Sequence, residues 1–248
     1  MRHITEERKI MEGRGTGEGK DYKPWIQCRE CGGSSTCVQH PDWKHHRMMH
    51  FLSQGEFWAY LSLRWREDVL DVREQFPLRK EETMAIAKTN GIPHPNNIDH
   101  NVTMTTDLLV TYIDAHGRQY LKAYSIKNRR MEVFGDMEDE KVMRNVEKQR
   151  IEMAYWHLHA VPFENVFKEE ISPVLVSNID LVTRRYELPQ KYTDSDVLHY
   201  LIARKRIVIA MDDFYIQDHM TRLLSTYKKG IDRFKHDLVQ QKRHLPLV

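Results

Sequence analysis

No stretch of this 248-residue chain stays apolar for long. The longest runs, such as Ile207–Met211, fall far short of a bilayer span, so no membrane-crossing helix is expected. The first ten residues are charged and lack an apolar centre, which argues against a secretory leader. Cysteine is scarce as well. The three present, Cys28, Cys31 and Cys37, lie within ten residues, and an odd count without an export signal argues against a disulfide framework. The chain reads as cytoplasmic. Charge of one sign is also missing: the net value is +2, so overall charge selects no class of partner and local clusters must be weighed instead. Those clusters are Lys44–Arg47, Lys127–Arg130, Arg184–Arg185, Arg204–Arg206 and Lys242–Arg243, each of which also reads as solvated surface. There is no phosphate loop either. In the stretch EGRGTGEGKDYKPW the glycine spacing fails, and Lys20 is followed by Asp21 rather than Ser or Thr. No internal repeat is visible.

What is present is a globular composition, 40% hydrophobic and 30% charged, in a chain long enough for a real core. Residues 1–50 read as a flexible, glycine-rich arm or lid. A helix is expected from about Ser53, with Phe57, Tyr60, Leu61, Arg64 and Trp65 at helical spacing and Ser53 with Glu56 as a capping box. The stretch DVLDVREQFPL alternates as a strand ended by Pro77. A short helix follows, with Gly91 beyond its C-terminus. Met104–Asn128 reads as a hairpin turning at Asp114–Gly117. A long helix from about Glu138 to His159 is expected to turn Val142, Val146, Met153 and Trp156 toward a sheet. Beyond about Pro162 short helical units suggest a separate small domain.

Folding the hairpin about its turn brings Asp107, near the start of one strand, beside Lys127, near the end of the other, and alternation puts both on one face. Each has an ordinary reading alone: Asp107 starts a strand, Lys127 ends one, and Glu56 caps a helix. Together they form Glu…Asp…x-x-Lys, a pattern of metal-dependent nucleases. Two carboxylates suit Mg²⁺, which prefers oxygen ligands. Metal ions activate water and clamp the attacking and leaving oxygens of a phosphodiester. A nearby lysine orients the water or stabilises phosphate charge.

The blocks GRGTGEGKDYKPWI, HFLSQGEFWAYLSLRW, VLDVREQFPL, EETMAIAKTNGIPHP, VTMTTDLLV and VEKQRIEMAYW, over roughly residues 8–185, resemble the TnsA family of endonuclease subunits of heteromeric cut-and-paste transposases. The resemblance implies an α/β, restriction-endonuclease-like domain with a mixed sheet flanked by helices, over residues 1–165 with the arm at about 1–50. It implies a small, mainly helical, winged-helix-like domain over 166–248. It makes Glu56, Asp107 and Lys127 the catalytic set, and Glu56, Asp107 and the backbone of Ile126 the ligands of one or two Mg²⁺ ions, with Mn²⁺ able to substitute. Ser125 stands where these nucleases usually carry Gln or Glu, so it is a poorer candidate ligand. Glu147 matches an acidic family position near the site, and otherwise reads as a solvated helix face.

The implied activity is nicking of the 5′ strand at each transposon end. The implied partners are the transposon-end DNA, a TnsB-like DDE transposase, and a TnsC-like ATPase at the C-terminal domain, with no membrane. Two rivals stay open: a stand-alone restriction or repair nuclease, and a catalytically weak DNA-binding or assembly subunit. Separately, Cys28, Cys31, Cys37 and His40 offer four ligands for a tetrahedral zinc, although the spacing is unusual and GGSST between them reads as loop.

Overall fold

The structure is a computed structural model that describes residues 4–31, 36–97, 100–136 and 138–243. The chain divides into two compact units, Met1–Ile171 and Ser172–Val248. In chain order the first unit has α1 (Glu6–Met11), β1 (Val38–Pro41), β2 (Met48–Phe51), α2 (Gln54–Arg64), β3 (Val69–Pro77), α3 (Lys80–Thr89), β4 (Asn96–Asn97), β5 (His100–Asn101), β6 (Thr105–Ile113), β7 (Gln119–Lys127), α4 (Met131–Phe134), α5 (Glu140–Leu158) and β8 (Phe163–Phe167). The second has α6 (Pro173–Thr183), α7 (Asp194–Ala203) and α8 (Met220–Arg243). Among the described residues no helix is long and apolar enough to cross a membrane.

The central sheet runs β3-β6-β7-β8, with the first two pairings antiparallel and the last parallel. It is therefore mixed and flanked by helices, as expected. The hairpin turn is closed by Asp114, whose Oδ1 accepts the His116 and Arg118 N–H groups at 2.8 and 2.9 Å. On one side of the sheet Leu109 and Ala123 pack with Ile86 of α3 and Ile151, Tyr155 and Trp156 of α5. This corrects the reading of α5: Met153 is exposed, and the buried face is Ile151, Glu152, Tyr155 and Trp156. Spacing alone missed it because one member of that face is a carboxylate.

β8 lies wholly inside the first unit, so the junction falls after Ile171 rather than at 165. In the second unit, Ser172 caps α6 with Pro173 in its first turn, and Thr193 with Asp196 forms a reciprocal box at α7. Its described residues contain helices and no strand, so the expected helical character is there and a β-wing is not among them.

The N-terminal stretch departs from the expected flexible arm. Residues 4–31 are folded along β3, the edge strand of the sheet. Gly19 N–H donates to Asp71 Oδ2 (3.0 Å), Tyr22 Oη to Glu74 O (3.0 Å) and Trp25 N–H to Gln75 O (3.2 Å). Tyr22 and Trp25 are buried, and Arg14 is buried against Glu12, Glu30 and the Trp25 carbonyl. Gly15 has φ +77°, and a Cβ there would stand 2.2 Å from Pro77 Cγ. The glycine content that reads as looseness serves close approach to the sheet, and the segment covers an edge that would otherwise present unpaired backbone.

Candidate active site

The pairing of β6 with β7 stops at Leu108↔Tyr124. Beyond that rung the strands part, β6 continuing along β3 and β7 along β8. Asp107 and Ser125 are the first residues past the fork. Asp107 Oδ2 accepts the Ile126 N–H at 2.6 Å, so the carboxylate replaces a backbone acceptor lost where the ladder ends. The Ser125 hydroxyl, buried to 2% exposure, accepts from Lys127 Nζ at 3.0 Å and also bonds the Asp107 carboxylate. Asp107, Ser125 and Lys127 thus form one connected string on neighbouring strand ends, as alternation along the hairpin predicts.

Glu56 comes from the first turn of α2. Ser53 caps the helix, accepting Glu56 N–H at 3.1 Å. The Glu56 carboxylate is 6% exposed and accepts from Leu52 N–H (2.9 Å), Ser53 Oγ (3.0 Å) and Gln75 Nε2 (3.1 Å). The capping contacts and a place beside Asp107 therefore coexist. α2 can sit this close because residue 55 is glycine: a Cβ there would lie 3.2 Å from Ile126 Cγ2.

A third carboxylate joins them from α5. Glu152, 7% exposed, accepts from Thr106 Oγ1 at 2.7 Å, and Thr106 in turn accepts from Trp156 Nε1 at 2.7 Å. The sequence reading chose Glu147 as the acidic residue of this helix. Glu147 is instead paired with Arg144 at 2.7 Å. The signal that separates the two is position on the helix: Glu152 lies next to Ile151 and one turn before Trp156, on the buried face.

The electrostatics follow from three carboxyls crowded in a dry place. Burial first, and the Asp107 charge second, push Glu56 up to about 8, against the opposing bonds from Leu52, Ser53 and Gln75. The same two causes push Glu152 up to about 8. Burial also raises Asp107, opposed by Lys127, the Ile126 N–H and Ser125. Lys148, one turn before Glu152, is lowered by burial and by the nearby charges of Arg144 and Lys127. The site therefore carries more acidic than basic groups and only oxygen donors. That donor set fits a hard divalent cation such as Mg²⁺ or Mn²⁺. Among the described residues no three His, Cys, Asp or Glu side chains are gathered tightly enough to encage an ion by themselves. Mg²⁺ commonly needs only one or two carboxylates, keeping water and substrate oxygens for the rest.

Of the four candidate zinc ligands, Cys37 and Cys31 lie near Cys28, whose Sγ is 3.4 Å from Val38 O and 3.6 Å from Phe51 O; burial first, then these neighbouring thiols, push Cys28 up to about 12. Among the described residues no group of three or more His, Cys, Asp or Glu is arranged to hold a metal ion. The His40 ring packs on Phe57 (5.1 Å), Tyr60 and Trp43. The strand pairing of β1 with β2 carries this aromatic cluster.

A mixed sheet flanked by helices, with a glutamate, an aspartate and a lysine brought to one end, is compatible with a restriction-endonuclease-like domain. Residues 66–167 match the family described as TnsA-like endonuclease N terminal. The chain is also 38% identical over 173 residues to the Transposon Tn7 transposition protein TnsA of Escherichia coli, across 70% of this chain. It spans 60% of that relative's length. Both matches support a TnsA-type protein.

Proposed function

We propose that this protein is a divalent-metal-dependent endonuclease that nicks the 5′ strand at each transposon end, while a TnsB-like DDE transposase cuts the 3′ strand. The observation that carries the reading is the fork at Leu108↔Tyr124, where Asp107, Ser125 and Lys127 are joined beside the buried Glu56 and Glu152. Hydrolysis adds water across one P–O bond: the water oxygen bonds phosphorus, and the departing bridging oxygen takes up a proton. Glu56 and Asp107 would hold the cation, which when bound supplies Lewis acidity and a water that ionises near neutral pH. Burial raises all three carboxyls, and the Asp107 charge adds to it at Glu56 and Glu152; a bound dication would offset both. Lys127, fixed by Ser125, presents an ammonium to the water or to a phosphate oxygen. The Ile126 N–H holds Asp107 Oδ2 at 2.6 Å, fixing the carboxylate at the strand end. Ser125 acts in this scheme by linking Lys127 to Asp107 rather than as a ligand.

One such constellation cuts one strand, so excision requires a partner for the other. The helical unit is the proposed docking unit for a TnsC-like ATPase. The test is strand-specific nick mapping on labelled transposon-end DNA with the TnsB-type partner and Mg²⁺. Asp107→Asn, which keeps an acceptor for the Ile126 N–H, should leave 3′ cutting intact and reduce 5′ nicking by about 10²–10³-fold, the scale of losing one preorganised group. Unchanged 5′ nicking by this variant would overturn the site. Double-strand breakage of arbitrary DNA by the wild type alone would overturn the division of strands.

A further inference from the structure

Gln75 has no role in the scheme above, yet its geometry is unusual. It lies on β3 where the ladder to β6 skips a rung: Glu74 pairs with Leu108 and Phe76 with Thr106, and the β6 residue between them is Asp107. Its φ is +49°, a left-handed conformation that residues with side chains seldom adopt. It is 2% exposed, and its polar groups are engaged. The carbonyl accepts the Trp25 N–H at 3.2 Å, Oε1 accepts from Thr105 Oγ1 at 3.1 Å, and Nε2 donates to Glu56 Oε2 at 3.1 Å. A regular strand residue would not be aimed this way. The left-handed turn redirects the carboxamide onto the glutamate.

Glu56 shows the consequence. A carboxylate oxygen has two lone pairs. Oε2 receives both Leu52 N–H and Gln75 Nε2, whereas Oε1 receives only the Ser53 hydroxyl. We propose that Gln75 is a positioning residue of the cleavage site: it fills Glu56 Oε2, so that Oε1 is the oxygen left for the cation, and the folded N-terminal segment holds Gln75 in place through Trp25. The inference rests on the nuclease reading and adds a residue to it. A buried amide that merely satisfies its own hydrogen bonds would matter for stability alone.

The test uses the full chain. Gln75→Ala removes the carboxamide. Gln75→Asn keeps an amide and tolerates the left-handed backbone, but is one methylene too short to reach Glu56. Single-turnover cleavage of labelled transposon-end DNA is measured against Mn²⁺ concentration, together with the rise in Tm that Mn²⁺ causes. For both variants the Mn²⁺ midpoint should move up about tenfold in both titrations, the effect expected from loss of a group that orients a metal ligand. Wild-type midpoints accompanied by a lower Tm would assign Gln75 a structural role only and overturn the proposal while leaving the nuclease reading intact. Failure of the wild type itself to cut or to respond to Mn²⁺ would remove the reading and the proposal with it.

Discussion

At the scale of single residues, the site is defined by charges kept out of water. Glu56 and Glu152, raised to about 8, bind their protons more tightly in the folded chain than in the unfolded one. Folding is therefore most favoured where both states are protonated, below the ordinary glutamate value. That advantage is lost as pH rises through about 8. His45 adds in the same direction. Its bonds to Asp42 and then Asp71 raise it to about 8, so its contribution is complete below 6.5 and disappears above about 8. His50, His199 and Lys44, lowered by burial, act in the opposite direction over the same interval, so the comparison is made between proteins. Between about pH 5 and about pH 9 the metal-free Glu152→Gln variant should lose less Tm, or gain more, than the metal-free wild type, and Mg²⁺ should shift the wild type the same way. Identical pH profiles of variant and wild type in differential scanning fluorimetry would contradict the buried-carboxylate description.

At the scale of elements, the sheet needs its edge covered and its strands parted in one place. The covering segment depends on Gly15, whose φ of +77° and 2.2 Å approach to Pro77 leave no room for a methyl group. Gly15→Ala should destabilise the first unit by at least about 2 kcal/mol, since a strained backbone and a steric clash act together. A flexible arm would absorb the same change without cost, so an unaltered Tm would restore that reading. The parting of β6 from β7 is equally local. It occurs one residue past Leu108, and it frees the ends of both strands to carry side chains into the same space.

At the scale of the whole molecule, two units each have their own core. The second is pinned by one buried amide. Asn178 donates from Nδ2 to the Met211 and Phe214 carbonyls at 2.8 and 2.7 Å and accepts the Ile216 N–H at 2.9 Å. Asn178→Ala leaves three backbone groups without these partners, at a cost of about 1–3 kcal/mol for each one that stays buried. Calorimetry should show the transition of the helical unit moved to lower temperature and that of the first unit unchanged. Movement of both transitions together would mean that the units melt as one.

Much of this was legible without coordinates. Asp107 and Lys127 could be placed together because a hairpin with a tight turn has one way to fold, and alternation then assigns faces. Ser53 and Glu56 announced a helix start through a local hydrogen-bond pattern. Local rules stop where contacts come from distant segments. Glu152 could not be preferred to Glu147 until α5 was laid on the sheet, because an acidic residue on a buried face contradicts the pattern by which buried faces are read. Gln75 looked like one more polar position in an alternating strand, and only its left-handed backbone, held by Trp25 from the N-terminal segment, aims it at Glu56. The glycine-rich segment looked loose because its chemistry permits looseness. Its order comes from a strand edge that lies some fifty residues further along the chain, as the contact of Gly19 with Asp71 illustrates.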